Sequence, residues 1–148
     1  QYHDTYFVVA HFHYVLVTGA LYAIIAAFYY WAPKWTGNMY PPLLSKIHFW
    51  ASLISVNVLF FPQHFVGLAG MPRRIPDYAI QFADWNYWSS IGGFVFGLSQ
   101  VLFLVIVIKT IKGGEKATGQ VWESAEGLEW TVASPAPYHT FATPPEIK

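Results

Sequence analysis

Cysteine is absent from all 148 residues, which excludes a disulfide framework, thiolate metal sites and cysteine catalysis, and leaves the redox compartment open. Charge is scarce too. Only 11% of the residues are charged, against about 25% in a soluble domain, too few to clothe a water-facing surface. The 8 basic and 8 acidic residues cancel, so no charge imbalance draws the chain to nucleic acid or to an anionic partner, and no nucleic-acid partner is expected. Neither an initiator methionine nor the basic stretch of a signal peptide precedes the first apolar segment. The chain opens Gln1-Tyr2-His3-Asp4, as a sequence entered in mid-protein would, either a fragment or one piece of a split chain. What remains abundant is apolar. The chain is 55% hydrophobic and 20% aromatic, with mean hydropathy +0.34, the composition of a membrane protein. Aromatic richness suits interface belts and large core residues as well as the lining of a flat conjugated cofactor, and composition alone favours the belts.

A bilayer core about 30 Å thick takes roughly 20 apolar residues as a helix. Three segments qualify: about 6–31, 47–68 and 88–111. The expected fold is therefore all-α, a polytopic transmembrane helix bundle in residues 1–112, followed by a polar tail over 113–148. The first span is predicted to stop at Ala32-Pro33, because proline disfavours helix in the residue before it. Pro62 removes one backbone donor from the second span and should kink it near Phe61. Gly67, Gly70 and Pro72 mark that span's end, and Lys109, Lys112, Gly113 and Gly114 mark the end of the third. Tryptophans at the span ends match an interfacial aromatic belt. The tail carries Trp122 and Trp130, a spacing that suits a segment laid against a protein surface. Lys34 and Lys46 in the first link, with Lys109, Lys112 and Lys116 after the third span, place link and tail on the cytoplasmic or matrix side. Arg73 and Arg74 then fall on the outer side, against the rule, and need another reason to exist.

The first span holds His11-Phe12-His13. Residues two apart on a helix point about 200° from each other. The two imidazoles therefore cannot ligate one metal, but each can serve a different group on opposite sides of one helix. Coordinating side chains inside a span are functional candidates by default, and haem iron accepts axial imidazole nitrogen. His3-Asp4, just before the span, reads by itself as a helix cap with a polar neighbour. The same donors also suit magnesium, manganese or zinc. His48 and His64, near the ends of the second span, read as interface hydrogen-bond partners, and His139 carries no signal of its own. Arg73-Arg74 after Gly70-Met71-Pro72 offers planar guanidinium groups suited to carboxylates.

The run Asp4-Thr5-Tyr6-Phe7-Val8-Val9-Ala10-His11-Phe12-His13-Tyr14-Val15 resembles the tenth-helix signature of the haem–copper oxidase catalytic subunit family. Gly67-Leu68-Ala69-Gly70-Met71-Pro72-Arg73-Arg74 resembles that family's segment between helices eleven and twelve. The likeness returns in Leu128-Glu129-Trp130-Thr131 and in Ser134-Pro135-Ala136-Pro137-Tyr138-His139-Thr140-Phe141. It implies a C-terminal fragment holding the last three helices of a twelve-helix subunit. By that resemblance His11 is the axial ligand of the high-spin haem and His13 an axial ligand of the low-spin haem. His3 and Asp4 contribute to a magnesium site shared with subunit II, and Arg73 and Arg74 hold haem propionates.

The implied reaction is four-electron reduction of dioxygen to water by reduced cytochrome c, coupled to proton pumping. Two haem groups of the a type, copper and magnesium are the implied cofactors. The implied partners are the N-terminal part of the same subunit, subunits II and III, cytochrome c and membrane lipid. His3-Asp4 and Pro72-Arg73-Arg74-Ile75-Pro76-Asp77-Tyr78 look like cytochrome c oxidases more than quinol oxidases, and the tail looks bacterial, implying the bacterial plasma membrane over the mitochondrial inner membrane. Val17 stands where many mitochondrial relatives have serine, which weakens any proton route there. The sequence has no His-His pair and no His-Pro-Glu-Val-Tyr segment, which in the family supply the copper ligands and the redox-active tyrosine. The fragment alone is therefore expected to be inactive. A structural membrane fragment without haem is the competing reading. A proton-relaying transporter ranks last, since the centres of the second and third spans hold almost no ionisable residues.

Overall fold

The computed structural model describes residues 1–118, 120–139 and 141–146. Among them the chain is all-helical, without a strand, and three helices are long and apolar enough to cross a membrane: Tyr6–Thr36, Pro42–Leu68 and Ile80–Lys112. Helices suit such sequences because a backbone in hydrocarbon must satisfy its N–H and C=O groups within itself.

The first span is a composite rod. Helix α1 (Tyr6–His13) runs into a π-helical stretch, Tyr14–Leu21, and then into α2 (Tyr22–Thr36). Thr5 caps the rod, its hydroxyl accepting from the Phe7 N–H at 3.3 Å. In the π-helical stretch the backbone bonds reach back five residues, as from the Tyr22 N–H to the Val17 carbonyl, a widened geometry frequent at functional sites. The Thr18 hydroxyl donates to the Tyr14 carbonyl within it. The rod continues through Pro33, against the expected stop at Ala32-Pro33, and ends at Gly37, whose N–H donates to the Pro33 carbonyl. Proline in a last turn sacrifices only its own N–H bond, and the Thr36 hydroxyl adds a local bond to the Ala32 carbonyl at 2.7 Å.

Helix α3 (Pro42–Leu68) starts five residues before the expected boundary, with Pro42 in its first turn, where the missing N–H costs nothing. Helix α4 (Ala83–Lys112) follows a short 3₁₀ turn, Ile80–Phe82. The buried face of α4 carries Ser89, Gly92, Ser99, Ile106 and Thr110, mostly small residues at spacings of three, four and seven. That stripe lets α3 and α4 approach closely, the usual means of helix association in membranes. At Gly92 a β-carbon would sit 2.4 Å from the Leu59 nitrogen. The crossing of α3 with α1 is closer still: a β-carbon at Gly67 would fall 1.9 Å from the Phe7 nitrogen.

The tail folds back onto the end of the bundle where spans one and two are linked. Asn38 pairs with Lys116 in an isolated bridge, the Met39 N–H donates to the Glu115 carbonyl (2.7 Å) and the Ala117 N–H to the Gly37 carbonyl (3.0 Å). The buried Asn38 side chain donates to the Thr110 carbonyl (3.1 Å) and accepts from Lys116 Nζ (2.9 Å). Trp122 stacks on Tyr30 at 6.0 Å and 7°, and its indole N–H donates to the Tyr30 carbonyl. Trp130, in the short helix α5 (Leu128–Thr131), is buried edge-on against the same ring. Both tryptophans thus lie against span one, as their spacing suggested.

Candidate functional site

The two histidines of α1 meet different surroundings. His13 is half-buried on the side that faces α3. Its Nδ1 lies 2.7 Å from the Val9 carbonyl oxygen. A carbonyl can only accept, so Nδ1 is the donor, and in the neutral ring the lone pair lies on Nε2. Phe60 of α3 stacks on the imidazole at 4.5 Å with 14° between the planes, and Phe12 lies 4.4 Å away at 30°. His11 is exposed, and among the described residues no hydrogen bond or ring contact engages its side chain.

The flanking contacts tie α1 to α3. The Tyr14 hydroxyl donates to Asn57 Oδ1 at 2.7 Å, while Asn57 Nδ2 donates to the Leu53 carbonyl at 2.8 Å. His64 sets its ring edge-on to Phe7 (5.4 Å) and near Tyr14 (5.4 Å), with Nδ1 close to the Phe61 carbonyl.

At the opposite end of the bundle, the residues before α1 pair with the loop after α3. Thr5 bridges Pro72, the Tyr6 N–H donates to the Met71 carbonyl (3.0 Å) and the Arg73 N–H to the Asp4 carbonyl (2.9 Å). Met71 is anchored among Val66, Phe82, Tyr6 and Ile75. This brings Arg73 onto Asp4: Nε and Nη2 donate to Asp4 Oδ1 at 2.8 and 2.6 Å. The other oxygen, Oδ2, lies 3.2 Å from His3 Nε2. The guanidinium bond, and next to it the charges of His3, Arg73 and Arg74, hold the Asp4 carboxyl below its ordinary range despite some desolvation. Asp4 is therefore an ion-pair partner, and the cap suggested for it falls to its neighbour Thr5. Asp4 and Arg74 both adopt left-handed backbone, at φ 59° and 61°, and Arg74 is exposed.

His48 is packed between helices. It is 1% exposed, stacked on Phe103 at 5.2 Å and within 3.0 Å of the Tyr29 hydroxyl through Nδ1. It lines an apolar groove of about 790 Å³ with Tyr22, Tyr29, Ser52 and Trp122. His139 lies beside Tyr138 in the tail. Among the described residues no three His, Asp or Glu side chains converge as a metal-binding group.

The sequence singled out His3, Asp4, His11, His13, Arg73 and Arg74. The structure joins His3, Asp4 and Arg73 at one end and sets His11 and His13 in separate environments along α1. Sequence reasoning missed Phe60, Asn57 and the Asp4–Arg73 pair. Tyr14 with Asn57 and Asp4 with Arg73 are 43 and 69 residues apart, beyond any local pattern.

Taken together, these features define a multi-pass helical membrane protein that presents imidazole donors from one span. Residues 1–95 match the family described as cytochrome c and quinol oxidase polypeptide I, and the chain belongs to that family. It is 48% identical to cytochrome c oxidase subunit 1 of Cereibacter sphaeroides over 98% of its length. Against the subunit of the same name it is 44% identical in Bacillus sp. (strain PS3), over 100% of its length, and 42% in Yarrowia lipolytica, over 97%. It spans 24–30% of the length of these relatives.

Proposed function

We propose that this chain is the C-terminal part of the catalytic subunit of a cytochrome c oxidase, which reduces dioxygen to water with electrons from reduced cytochrome c and couples this to proton pumping. His13 is then an axial ligand of a low-spin haem, and His11 the axial ligand of a high-spin haem on the other side of the same helix. The observation that carries this reading is the state of His13. Its Nδ1 donates to the Val9 carbonyl, which in the neutral ring puts the lone pair on Nε2, the form in which imidazole ligates a metal.

The donor sets suit the implied groups. Imidazole nitrogen suits haem iron. When bound, the haems carry electrons and hold oxygen for reduction, with copper on ligands outside this chain. Within the chain, His11 and His13 supply nitrogen lone pairs, and the α1–α3 contacts hold His13 in place. Arg73 uses two of its five N–H donors on Asp4, so it and Arg74 retain donors for haem propionates. His3 Nε2 and Asp4 Oδ2 are 3.2 Å apart, near the roughly 3 Å between neighbouring ligands of an octahedral magnesium ion with bonds of about 2.1 Å. They would be two ligands of a magnesium site completed from subunit II.

In this reading the other partners are the N-terminal part of the subunit, subunit III, cytochrome c and lipid. The a-type haem, the bacterial plasma membrane with the tail inside, and cytochrome c as donor rest on the resemblance in His3-Asp4, Arg73-Arg74 and the tail. The test is a purified complex containing this chain, assayed for haem bands and for oxygen uptake with reduced cytochrome c or a quinol. Haem bands with uptake from cytochrome c are expected. Uptake from quinol alone would make the chain part of a quinol oxidase, and a complex without haem would leave a structural fragment.

A further inference from the structure

We propose that Phe60 is a positioning residue that sets the plane of the His13 imidazole, braced by the Tyr14–Asn57 hydrogen bond; this rests on the reading of His13 as a haem ligand. A histidine ring turns about two bonds. The bond from Nδ1 to the Val9 carbonyl restrains the tilt from within α1, but a single hydrogen bond leaves rotation about the Cβ–Cγ bond soft. Phe60 supplies the second restraint from α3. Its ring lies 14° from parallel to the imidazole at a centroid distance of 4.5 Å, so turning the imidazole drives its edge into the phenyl face. Phe60 can act as a wall because it is itself held, at 8% exposed.

The wall also keeps its register. Asn57 lies one helical turn before Phe60 on the same face of α3, and it accepts from Tyr14, the residue next to His13, at 2.7 Å. Asn57 is fixed in turn by its bond to the Leu53 carbonyl. Span one is thus pinned to α3 at two successive residues, His13 by stacking and Tyr14 by a hydrogen bond. The pins fall where α1 gives way to the π-helical stretch, where the rod's own geometry would define side-chain direction least well.

The plane of an axial imidazole governs how strongly its π orbitals mix with each iron d orbital. It therefore shifts the electron paramagnetic resonance of a ferric low-spin haem without changing the ligand. The experiment uses the assembled complex with Phe60→Leu, Phe60→Tyr, Tyr14→Phe and His13→Ala, read by the low-spin resonance at low temperature and by the low-spin haem potential. The expected result is a shifted and broadened largest-g feature and a shifted potential in Phe60→Leu at unchanged haem content. Phe60→Tyr should restore the wild-type feature, and Tyr14→Phe should give a smaller shift in the same direction.

A Phe60→Leu spectrum superimposable on wild type, with low-spin haem retained, overturns the proposal. If Phe60→Leu does not assemble, Tyr14→Phe decides: a shift supports the brace and an unmoved resonance refutes it. A low-spin resonance that survives in His13→Ala overturns the ligand assignment instead, and so separates the two failures.

Discussion

His11 and His13 stand two residues apart on one helix and share almost nothing else. His13 is bonded to its own helix, stacked on Phe60 and half-buried. His11 is exposed, its side chain without a bond or ring contact among the described residues. The chain thus prepares one imidazole completely and merely presents the other. If both are ligands, orientation of His13 is built into these three helices, whereas orientation of His11 is left to the part of the subunit it faces. The difference follows from packing: α3 covers one side of α1, so a residue on that side gains a second helix to lean on.

Separating α3 from α1 tests this contrast most severely. Gly67→Ala places a β-carbon where the Phe7 backbone stands, and the obstructing atoms belong to the main chain and cannot swing aside. The expected cost is about 3 kcal/mol, the upper end of ordinary overpacking, seen as a lower melting temperature of the complex. Low-spin haem should be lost before high-spin haem; equal loss of both would erase the distinction between the two faces.

At the tail's end of the bundle, Trp130→Ala removes a buried indole from Tyr30. Large aromatic truncations cost roughly 3 kcal/mol, offset in part where the tail can resettle. The tail should become sensitive to protease while both haem spectra stay unchanged, which would separate anchoring of the tail from ligand geometry. A spectral change would show that the tail reaches the ligands.

The smallest effect concerns Asp4. Its carboxyl is held below its ordinary range, chiefly by the bond from Arg73. A depressed folded-state value means that the pairing favours the folded arrangement of this end above the ordinary carboxylate range and is lost as pH falls through the lowered value. In Arg73→Gln, Asp4 should therefore protonate at a higher pH than in the wild type, detectable by infrared difference spectroscopy of the carboxyl. An unchanged titration would place the control of Asp4 elsewhere.

The three spans were legible because twenty apolar residues in a row leave few alternatives. Their ends were less so. Pro33 lies inside a helix and Pro42 begins one, since proline's penalty depends on which N–H is lost and local bonds decide that. The separate settings of His11 and His13 were legible from their two-residue spacing, because both lie in α1 before the helix widens. The widening itself was hidden: Thr18 and Gly19 interrupt the apolar run Tyr14–Leu21, but neither residue by itself marks a widened turn. Asp4 looked like a cap because its local sequence is that of a helix start. Arg73 arrives from 69 residues away, and only the fold brings it there.

The most direct measurement is the reduced-minus-oxidised visible spectrum of the assembled complex with His13→Ala and with His11→Ala. Two haems on opposite faces of one helix predict loss of the low-spin signal in the first variant, with the high-spin signal kept, and the reverse in the second. Loss of the same signal in both, or of neither, would contradict it.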